Sequence, residues 1–184
     1  MAALEEVHRA DAYPMLWPAD PARWLCDSDL LAAWVAEVPG GPGGAAGPTR
    51  IVGHVTLVRA AGSRAAGLWA GRTGREEHRA GAVGRLFVAP AARGHGLGAR
   101  LLGTAVAQAR RWGLHPVLDV AAGSTAAVAL YERLGWRRLE TVQESWVPGE
   151  TVDVHCYTGP GAHPVAAAGG RPAATVRTSD DHDS

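Results

Sequence analysis

The sequence contains no lysine and no asparagine, and it has only one phenylalanine and one isoleucine. All 18 basic residues are therefore arginine, and 18 acidic residues balance them to a formal net charge of zero. This pattern follows codons rich in G and C, so we interpret it as the mark of a high-GC bacterial genome. The chain lacks the basic excess of a nucleic-acid binder, which argues against a non-specific DNA or RNA partner.

Cysteines and long apolar runs are also scarce. Cys26 and Cys156 match neither a metal-ligand spacing nor a disulfide framework, so we predict reduced thiols and no metal site. No apolar run approaches membrane-spanning length, and the N-terminus has acids where a signal peptide has basic residues and an apolar core. We therefore expect a soluble cytoplasmic protein with no membrane partner.

The length of the chain bounds its organisation. The 184 residues fit one ordinary domain, and 47% hydrophobic residues suffice for a core. We predict that this domain covers residues 1–158. From 159 to 184 the composition turns to Gly, Ala, Pro and a polar end, which lacks the apolar content to fold, so we predict a disordered tail.

Apolar runs divided by glycine and proline predict a mixed α/β pattern. A hairpin is expected first, with strands 30–38 and 51–58 around a loop at 39–49. The Gly- and Arg-rich connection 60–82 is long for a loop, and such loops tend to be functional or disordered. The elements expected after it are a strand that ends near Pro90, a helix over 96–112, a strand over 116–121, a helix that starts after Ser124 and stops at Gly135, and a hairpin over 136–158.

The stretch LFVAPAARGHGLGARLL, residues 86–102, places a strand, a proline and three spaced glycines before a helix. Gly94, Gly96 and Ala99 fit the loose dinucleotide pattern G-x-G-x-x-G/A, but residues 89–93 separate the strand from the first glycine, which that fold does not allow. A P-loop is excluded because it needs a lysine. The pattern that remains is R-x-x-G-x-G, in which N–H groups at a helix start converge on a pyrophosphate.

This pattern resembles the coenzyme A site of GNAT-type N-acetyltransferases. Residues 86–102 resemble the fourth strand and third helix of that superfamily, and STAAVALYERLGW, residues 124–136, resembles its fourth helix with a Tyr-x-x-x-Gly-Phe/Trp ending. The resemblance covers residues 4–157. It implies an α/β GNAT fold, in which helices flank a central mixed, mostly antiparallel sheet with a splayed strand pair.

The resemblance implies acetyl-CoA as the acyl donor, with no metal. It assigns the pantetheine arm and the thioester carbonyl to unpaired backbone groups of Leu86, Phe87 and Val88. Ser124 stands where relatives often have an Asn that bonds the cofactor arm, although a simple helix cap is an equal alternative. Tyr131 would also contact the cofactor, and the pyrophosphate would lie on the turn and the helix start, which comprise Arg93, Gly94, His95, Gly96, Leu97, Gly98 and Ala99.

Transfer to an amine by direct attack needs an acid that protonates the leaving thiolate. Tyr131 matches the family's helix tyrosine, and a phenol with a reference pKa of about 10 keeps its proton at neutral pH. We predict that Tyr131 is this acid. The alternative is a core tyrosine that packs at helical spacing.

The general base is harder to assign, because Arg85 stands on the strand where many relatives carry Glu or His. Asp119 lies on a strand expected to be covered on both faces, where an unpaired carboxylate is costly, and related enzymes place an acidic base at the matching position. We predict Asp119 as the base, with an Asp paired to an Arg as the alternative. Lesser candidates are a water molecule, His54, Glu77 and His78.

The predicted function is N-acetyltransfer from acetyl-CoA to a primary amine of a small molecule or a protein. By resemblance the acceptor pocket would be built near Trp17, Arg23 and Trp24 and near Trp146 and Glu150, although tryptophans of a small domain are more often core. The alternative function is a non-catalytic module that binds acyl-CoA as a sensor. The sequence leaves open whether the protein is a monomer or a homodimer.

Overall fold

The computed structural model describes residues 1–26, 29–39, 48–147, 149–160 and 175–178. The helices within these residues are α1 (Ala2–Asp11), α2 (Pro21–Leu25), α3 (Arg64–Thr73), α4 (Leu97–Arg111) and α5 (Thr125–Arg133). The strands are β1 (Leu30–Val38), β2 (Arg50–Arg59), β3 (Ala80–Val88), β4 (His115–Ala121), β5 (Arg137–Val147), β6 (Glu150–Thr158) and β7 (Thr175–Thr178). Short 3-10 turns cover Glu77–Arg79 and Pro90–Ala92.

The chain divides into two compact units. The first comprises Met1–Thr56, Arg85–Ala105 and Val165–Ser184, and the second comprises Leu57–Gly84 and Val106–Pro164. No helix in the described part of the chain is both long and apolar enough to cross a membrane.

In the first unit the strand order is β3-β2-β1-β7, and β7 pairs antiparallel with β1. Helix α1 buries Ala3, Leu4 and Val7. Helix α4 packs so tightly that a Cβ added at Gly53 of β2 would lie 3.0 Å from Cδ1 of Leu101 and 3.1 Å from the Phe87 carbonyl oxygen. A glycine at position 53 therefore lets the start of α4 lie directly on the sheet.

In the second unit the strand order is β5-β6-β4-β3-β2. Strand β4 pairs antiparallel with β6, which pairs antiparallel with β5. Helix α3 covers this sheet, because Ala65, Ala66 and Trp69 pack in one buried cluster with Val117 and Cys156. Removal of this apolar surface from water stabilises the helix in place.

Strands β3 and β4 pair in parallel, with Ala80 opposite His115, Gly81 opposite Pro116 and Ala82 opposite Val117. The splayed strand pair stays a prediction. The predicted fold, a mixed and mostly antiparallel sheet flanked by helices, is confirmed.

The predicted strands and helices agree with the structure to within a few residues, with one exception. Residues 60–82 were expected to form a loop, but they contain helix α3 and the first residues of β3. This prediction was wrong because Gly67 and Gly71, which disfavour a helix, are outweighed by the Ser63 cap, the left-handed Gly74 after the last turn, and the apolar contacts of Trp69.

The predicted disordered tail is described only in part. Thr175–Thr178 form β7, where Glu37 of β1 lies opposite Thr175, so for these four residues a strand replaces the expected disorder. Residues 161–174 and 179–184 lie outside the described residues, as do 40–47 of the first hairpin loop. Disorder of the remaining tail, and a domain boundary at residue 158, stay predictions.

Candidate active site

The glycine turn between β3 and α4 lies in the first unit. Gly94 and Gly96 have φ angles of 81° and 72°, a conformation that other residues rarely adopt. A Cβ added at either glycine would meet no heavy atom within 4 Å. These glycines are therefore required for the course of the backbone, and the space in front of them is open.

Helix α4 begins with backbone donors that have no partner inside the helix. The first intrahelical bond runs from the Arg100 N–H to the Gly96 carbonyl at 3.1 Å, so the N–H groups of Leu97, Gly98 and Ala99 precede it. The first turn carries no acidic side chain. Free N–H groups at the positive end of a helix dipole favour an anion, and a pyrophosphate fits this helix start.

Arg93 stabilises the turn through its side chain. Its Nε donates to the Val88 carbonyl at 3.0 Å, its Nη1 donates to Oδ1 of Asp11 at 3.1 Å, and its Nη2 pairs with Oδ2 of Asp11. The exposed His95 contacts the Ala92 carbonyl at 3.4 Å. Arg93 therefore ties the end of α1 to the turn.

Strand β3 is irregular at Arg85, where φ is 50°. A positive φ at arginine is uncommon, and irregularities of this kind re-aim backbone and side chains near functional sites. The Arg85 carbonyl accepts a hydrogen bond from Nδ1 of His54 at 3.1 Å, and the Arg85 guanidinium lies over the ring of Trp24 at 5.2 Å. Burial lowers the pKa of His54, so its ring is neutral at pH 7.

The last residues of β3 alternate in the direction of their backbone groups. The Ala89 N–H donates to the Val52 carbonyl of β2 at 2.7 Å, whereas the Val88 carbonyl accepts from Arg93. Because this alternation has a period of two, the backbone groups of Leu86 and Val88 point away from β2, and those of Phe87 point towards it. For the three residues predicted to hold the pantetheine arm, this contact stays a prediction, and the Val88 carbonyl already accepts from Arg93.

Asp119 lies in the second unit, at the start of α3. Ser63 Oγ donates to Oδ2 of Asp119 at 2.8 Å, and the Ala65 N–H donates to Oδ1 at 2.9 Å. A helix start thus takes the place of the arginine partner that we considered for Asp119. Opposite Asp119 on β6 lies Cys156, and burial together with the Asp119 charge raises the pKa of that thiol to about 12.

Tyr131 is buried, and its ring lies among those of Trp136 and Tyr157, with ring centroids 6.0 and 6.1 Å away. Its hydroxyl has no hydrogen-bond partner among the described residues, whereas the Tyr157 hydroxyl donates to Oε1 of Glu132 at 2.8 Å. Burial raises the pKa of Tyr131. Tyr131 therefore holds a proton that no described side chain accepts.

The structure does not bring Tyr131 and Asp119 together. Leu118 and Asp119 are neighbours on β4, so their side chains point to opposite faces of the sheet. Leu118 lies opposite Tyr157, whose ring packs against Tyr131, and Asp119 lies opposite Cys156, which packs against α3. The two predicted catalytic side chains therefore lie on opposite faces of β4.

The remaining candidates are more exposed. The Ser124 hydroxyl forms no cap bond with α5, which contradicts the simple helix-cap alternative and leaves its cofactor contact as a prediction. Glu77 and His78 are exposed, and His78 pairs with Glu76 at 3.2 Å. Glu77 borders a groove of about 710 Å³ that runs along α3 and β5.

Several of the residues expected near the acceptor are also exposed. Trp17 and Trp146 are 38% and 43% exposed, so they are not core residues, and Trp24 packs edge-on against Tyr13. An acceptor slot at these residues stays a prediction. Among the side chains that the structure describes, no three His, Cys, Asp or Glu residues could hold a metal ion.

The sequence did not reveal the hydrogen bond that His54 donates to Arg85 or the two hydrogen bonds that Asp119 accepts at the start of α3. Each joins residues far apart in the chain, by 31 and by 54 to 56 positions. A positive φ at Arg85 leaves no signal in the sequence, but Ser63 followed by Gly74 is a local signal for α3.

The open start of α4, where N–H groups have no partner inside the helix, is suited to a ligand that carries phosphates. The sequence profile of the Acetyltransferase (GNAT) family matches residues 6–136 of this chain. The chain therefore belongs to the GNAT family of acetyltransferases, which use acetyl-CoA, and it is an acyltransferase.

Solved structures of other acetyltransferases share this fold. Arabidopsis thaliana NAA60 in complex with a bisubstrate analogue is 22% identical, with a TM-score of 0.63 over 86% of this chain and 91% of that chain. The same protein in complex with acetyl-CoA is 20% identical, with a TM-score of 0.62 over 85% and 90%. The NatC complex bound to Gag peptide and CoA is 19% identical, with a TM-score of 0.57 over 86% and 89%. No curated protein sequence matches the chain.

Proposed function

We propose that this enzyme transfers the acetyl group of acetyl-CoA to a primary amine by direct attack. The observation that carries the proposal is the hydroxyl of the largely buried Tyr131, whose raised pKa keeps its proton in place and which has no partner among the described side chains. From the composition we also propose a bacterial, cytoplasmic enzyme.

The acyl donor would be held by backbone groups of the first unit. The N–H groups of Leu97, Gly98 and Ala99 would bind the pyrophosphate, and the open space at Gly94 and Gly96 admits it. The backbone of Leu86 and Val88 would hold the pantetheine arm and the thioester carbonyl. These groups bind through geometry and dipoles, so the site does not depend on a lysine.

The reaction forms one bond and breaks one. The amine nitrogen attacks the thioester carbonyl carbon, the C–N bond forms, the C–S bond breaks, and coenzyme A leaves as a thiolate. Tyr131 gives its proton to that thiolate, and solvent restores the proton afterwards. The nitrogen loses one proton, which passes to a base or to water.

Proton removal from the amine is the demanding step. An alkylamine with a pKa of about 10.4 is neutral in roughly one molecule in 2,500 at pH 7, which is a handicap of about 4.6 kcal/mol. Both oxygens of Asp119 already accept hydrogen bonds from α3, which supports a structural role for Asp119 over proton removal. This engagement of Asp119 is also the observation that favours the second candidate function, a sensor that binds acetyl-CoA without turnover.

A thiol-release assay with a panel of amines distinguishes the two functions. The panel contains a peptide α-amine, a lysine side chain, a polyamine, an amino acid and an aminoglycoside, and the peptide leads because the related NatC structure holds one. We expect turnover with at least one amine. Binding of acetyl-CoA with no turnover on any amine would favour the sensor.

The variant Tyr131→Phe tests the acid. It keeps the ring and removes the proton, so turnover should fall by a factor of about 10² to 10⁴. The free energy of acetyl-CoA binding should change by no more than about 1 kcal/mol. Tyr157→Phe is the matched control from the same aromatic cluster, and it should keep its turnover. A Tyr131→Phe enzyme with the turnover of the wild type would contradict the assignment.

A further inference from the structure

His54 forms contacts that the proposed chemistry does not use. It lies on β2 with 6% of its surface exposed, and its ring stacks on Phe87 with the centroids 5.4 Å apart and an interplanar angle of 24°. Its Nδ1 lies 3.1 Å from the Arg85 carbonyl oxygen. A carbonyl oxygen only accepts, so Nδ1 carries the proton. His54 is therefore a buried donor in a fixed orientation.

The residue that accepts this bond has an unusual backbone. Arg85 has a φ of 50°, a left-handed conformation that is costly for arginine and persists where its surroundings hold it. The contacts that hold it include the His54 bond to its carbonyl and the Trp24 ring beneath its guanidinium at 5.2 Å. The His54 bond thus fixes the direction of the peptide bond that follows Arg85, at the point where the strand is irregular.

The orientation of this peptide determines where the next N–H points. In a trans peptide the C=O and N–H groups point in opposite directions, so a carbonyl held towards His54 directs the Leu86 N–H away from His54. The alternation counted back from the bond between Ala89 and Val52 also directs the Leu86 backbone away from β2. Two independent observations therefore give the same direction for the Leu86 N–H.

We infer that His54 is a positioning residue, which fixes the Arg85–Leu86 peptide so that the Leu86 N–H donates to the thioester carbonyl oxygen. This inference rests on the proposed function, in which the backbone of Leu86 holds that carbonyl. Negative charge develops on the carbonyl oxygen as the amine attacks. A donor fixed in advance stabilises this charge more than it stabilises the bound thioester, and it therefore raises kcat.

Two variants separate the donor of His54 from its ring. His54→Phe keeps a ring against Phe87 and removes the donor, and His54→Asn keeps a donor near the position of Nδ1 and removes the ring. We expect His54→Phe to lower kcat about 10- to 100-fold, somewhat less than the loss of a whole oxyanion donor. The acetyl-CoA Kd should stay within about threefold in both variants, and His54→Asn should recover most of kcat.

The infrared stretch of a ¹³C-labelled acetyl carbonyl gives a readout that a merely structural role would not change. Bound to the wild type and to His54→Asn, the carbonyl should absorb at a lower frequency than in His54→Phe, because a hydrogen bond to its oxygen weakens the C=O bond. A frequency and a kcat in His54→Phe equal to those of the wild type would overturn the inference while the proposed function stands. If the acetyl carbonyl bound to the wild type absorbed at the frequency of free acetyl-CoA, the result would contradict the Leu86 contact and the proposed function with it.

A measurement on the wild type covers the case in which His54→Phe does not fold. Nitrogen-15 NMR of the histidine rings reports which ring nitrogen of His54 carries the proton. A protonated Nδ1 and an unprotonated Nε2 support the inference. The opposite tautomer would overturn it, because Nδ1 could then not donate to Arg85.

Discussion

Helices α3 and α4 begin in opposite ways. At α3 the Ser63 hydroxyl accepts from the Ala66 N–H, and the Asp119 carboxylate accepts from the Ala65 N–H. At α4 the cap residue is Gly96, which has no side chain, and the first turn contains no acid. Both helix starts attract an anion through free N–H groups and the helix dipole. The protein's own carboxylate occupies α3, so of these two helix starts only α4 can bind the phosphates of a ligand.

The largest expected effect comes from making α4 resemble α3. Gly96→Glu adds a carboxylate at the helix start and a side chain at a φ of 72°. The carboxylate repels the pyrophosphate, so we expect the acetyl-CoA affinity to fall at least about 100-fold in isothermal titration calorimetry, a loss comparable to that of two charged hydrogen bonds.

Gly103→Glu is the matched control for this variant. It adds the same charge further along α4, where a Cβ would meet no heavy atom within 4 Å. The affinity of Gly103→Glu should stay near that of the wild type. Equal affinities for wild type and a folded Gly96→Glu protein would show that the phosphates bind elsewhere.

The start of α4 could be predicted from the sequence because its determinants are local. Pro90 ends the strand, the spaced glycines follow within a few residues, and the helix has a clear apolar period. The family motif around Tyr131 is local too. The positions of most strands along the chain followed from the same kind of pattern, whereas their order in the sheet did not.

The start of α3 was not predicted, although Ser63 and Gly74 are local signals for this helix, because the contacts that outweigh its two glycines come from distant parts of the chain. Asp119 lies 54 positions after Ala65, and the Trp69 ring stacks on His115 with centroids 4.8 Å apart. These tertiary contacts override the weak helix propensity of Gly67 and Gly71. For the same reason the sequence suggested Asp119 as a base and did not reveal the helix that binds it.

The second-largest expected effect comes from removing the carboxylate that accepts hydrogen bonds at the start of α3. Asp119→Ala leaves the Ala65 N–H and the Ser63 hydroxyl without their acceptor, so we expect the free energy of unfolding to fall by about 2–3 kcal/mol in urea titrations. The acetyl-CoA affinity should stay constant. Asp153→Ala is the control, because Asp153 is an exposed β6 carboxylate whose bond to Gln143 is long, at 3.5 Å.

A second variant at this position, Asp119→Asn, distinguishes a structural Asp119 from a catalytic one. If Asp119 is the base, Asp119→Asn loses turnover at neutral pH and recovers it as the pH rises, because a less protonated amine needs less help. Full stability together with such a pH-dependent loss would contradict the structural role. We expect reduced stability and a pH profile of turnover that keeps its shape.

The smallest expected effect compares two serines that precede helices. The Ser63 hydroxyl bonds both to the Ala66 N–H and to Asp119, whereas the Ser124 hydroxyl forms no cap bond with α5. Ser63→Ala should therefore cost about 1 kcal/mol of unfolding free energy, the usual loss of an N-cap, and Ser124→Ala should change it by less than about 0.5 kcal/mol. Ser124→Ala should instead weaken acetyl-CoA binding slightly if its hydroxyl contacts the cofactor arm, while Ser63→Ala should leave binding unchanged. Equal stability losses in the two variants would mean that α3 and α5 are capped alike and that the contrast between helix starts does not extend to α5.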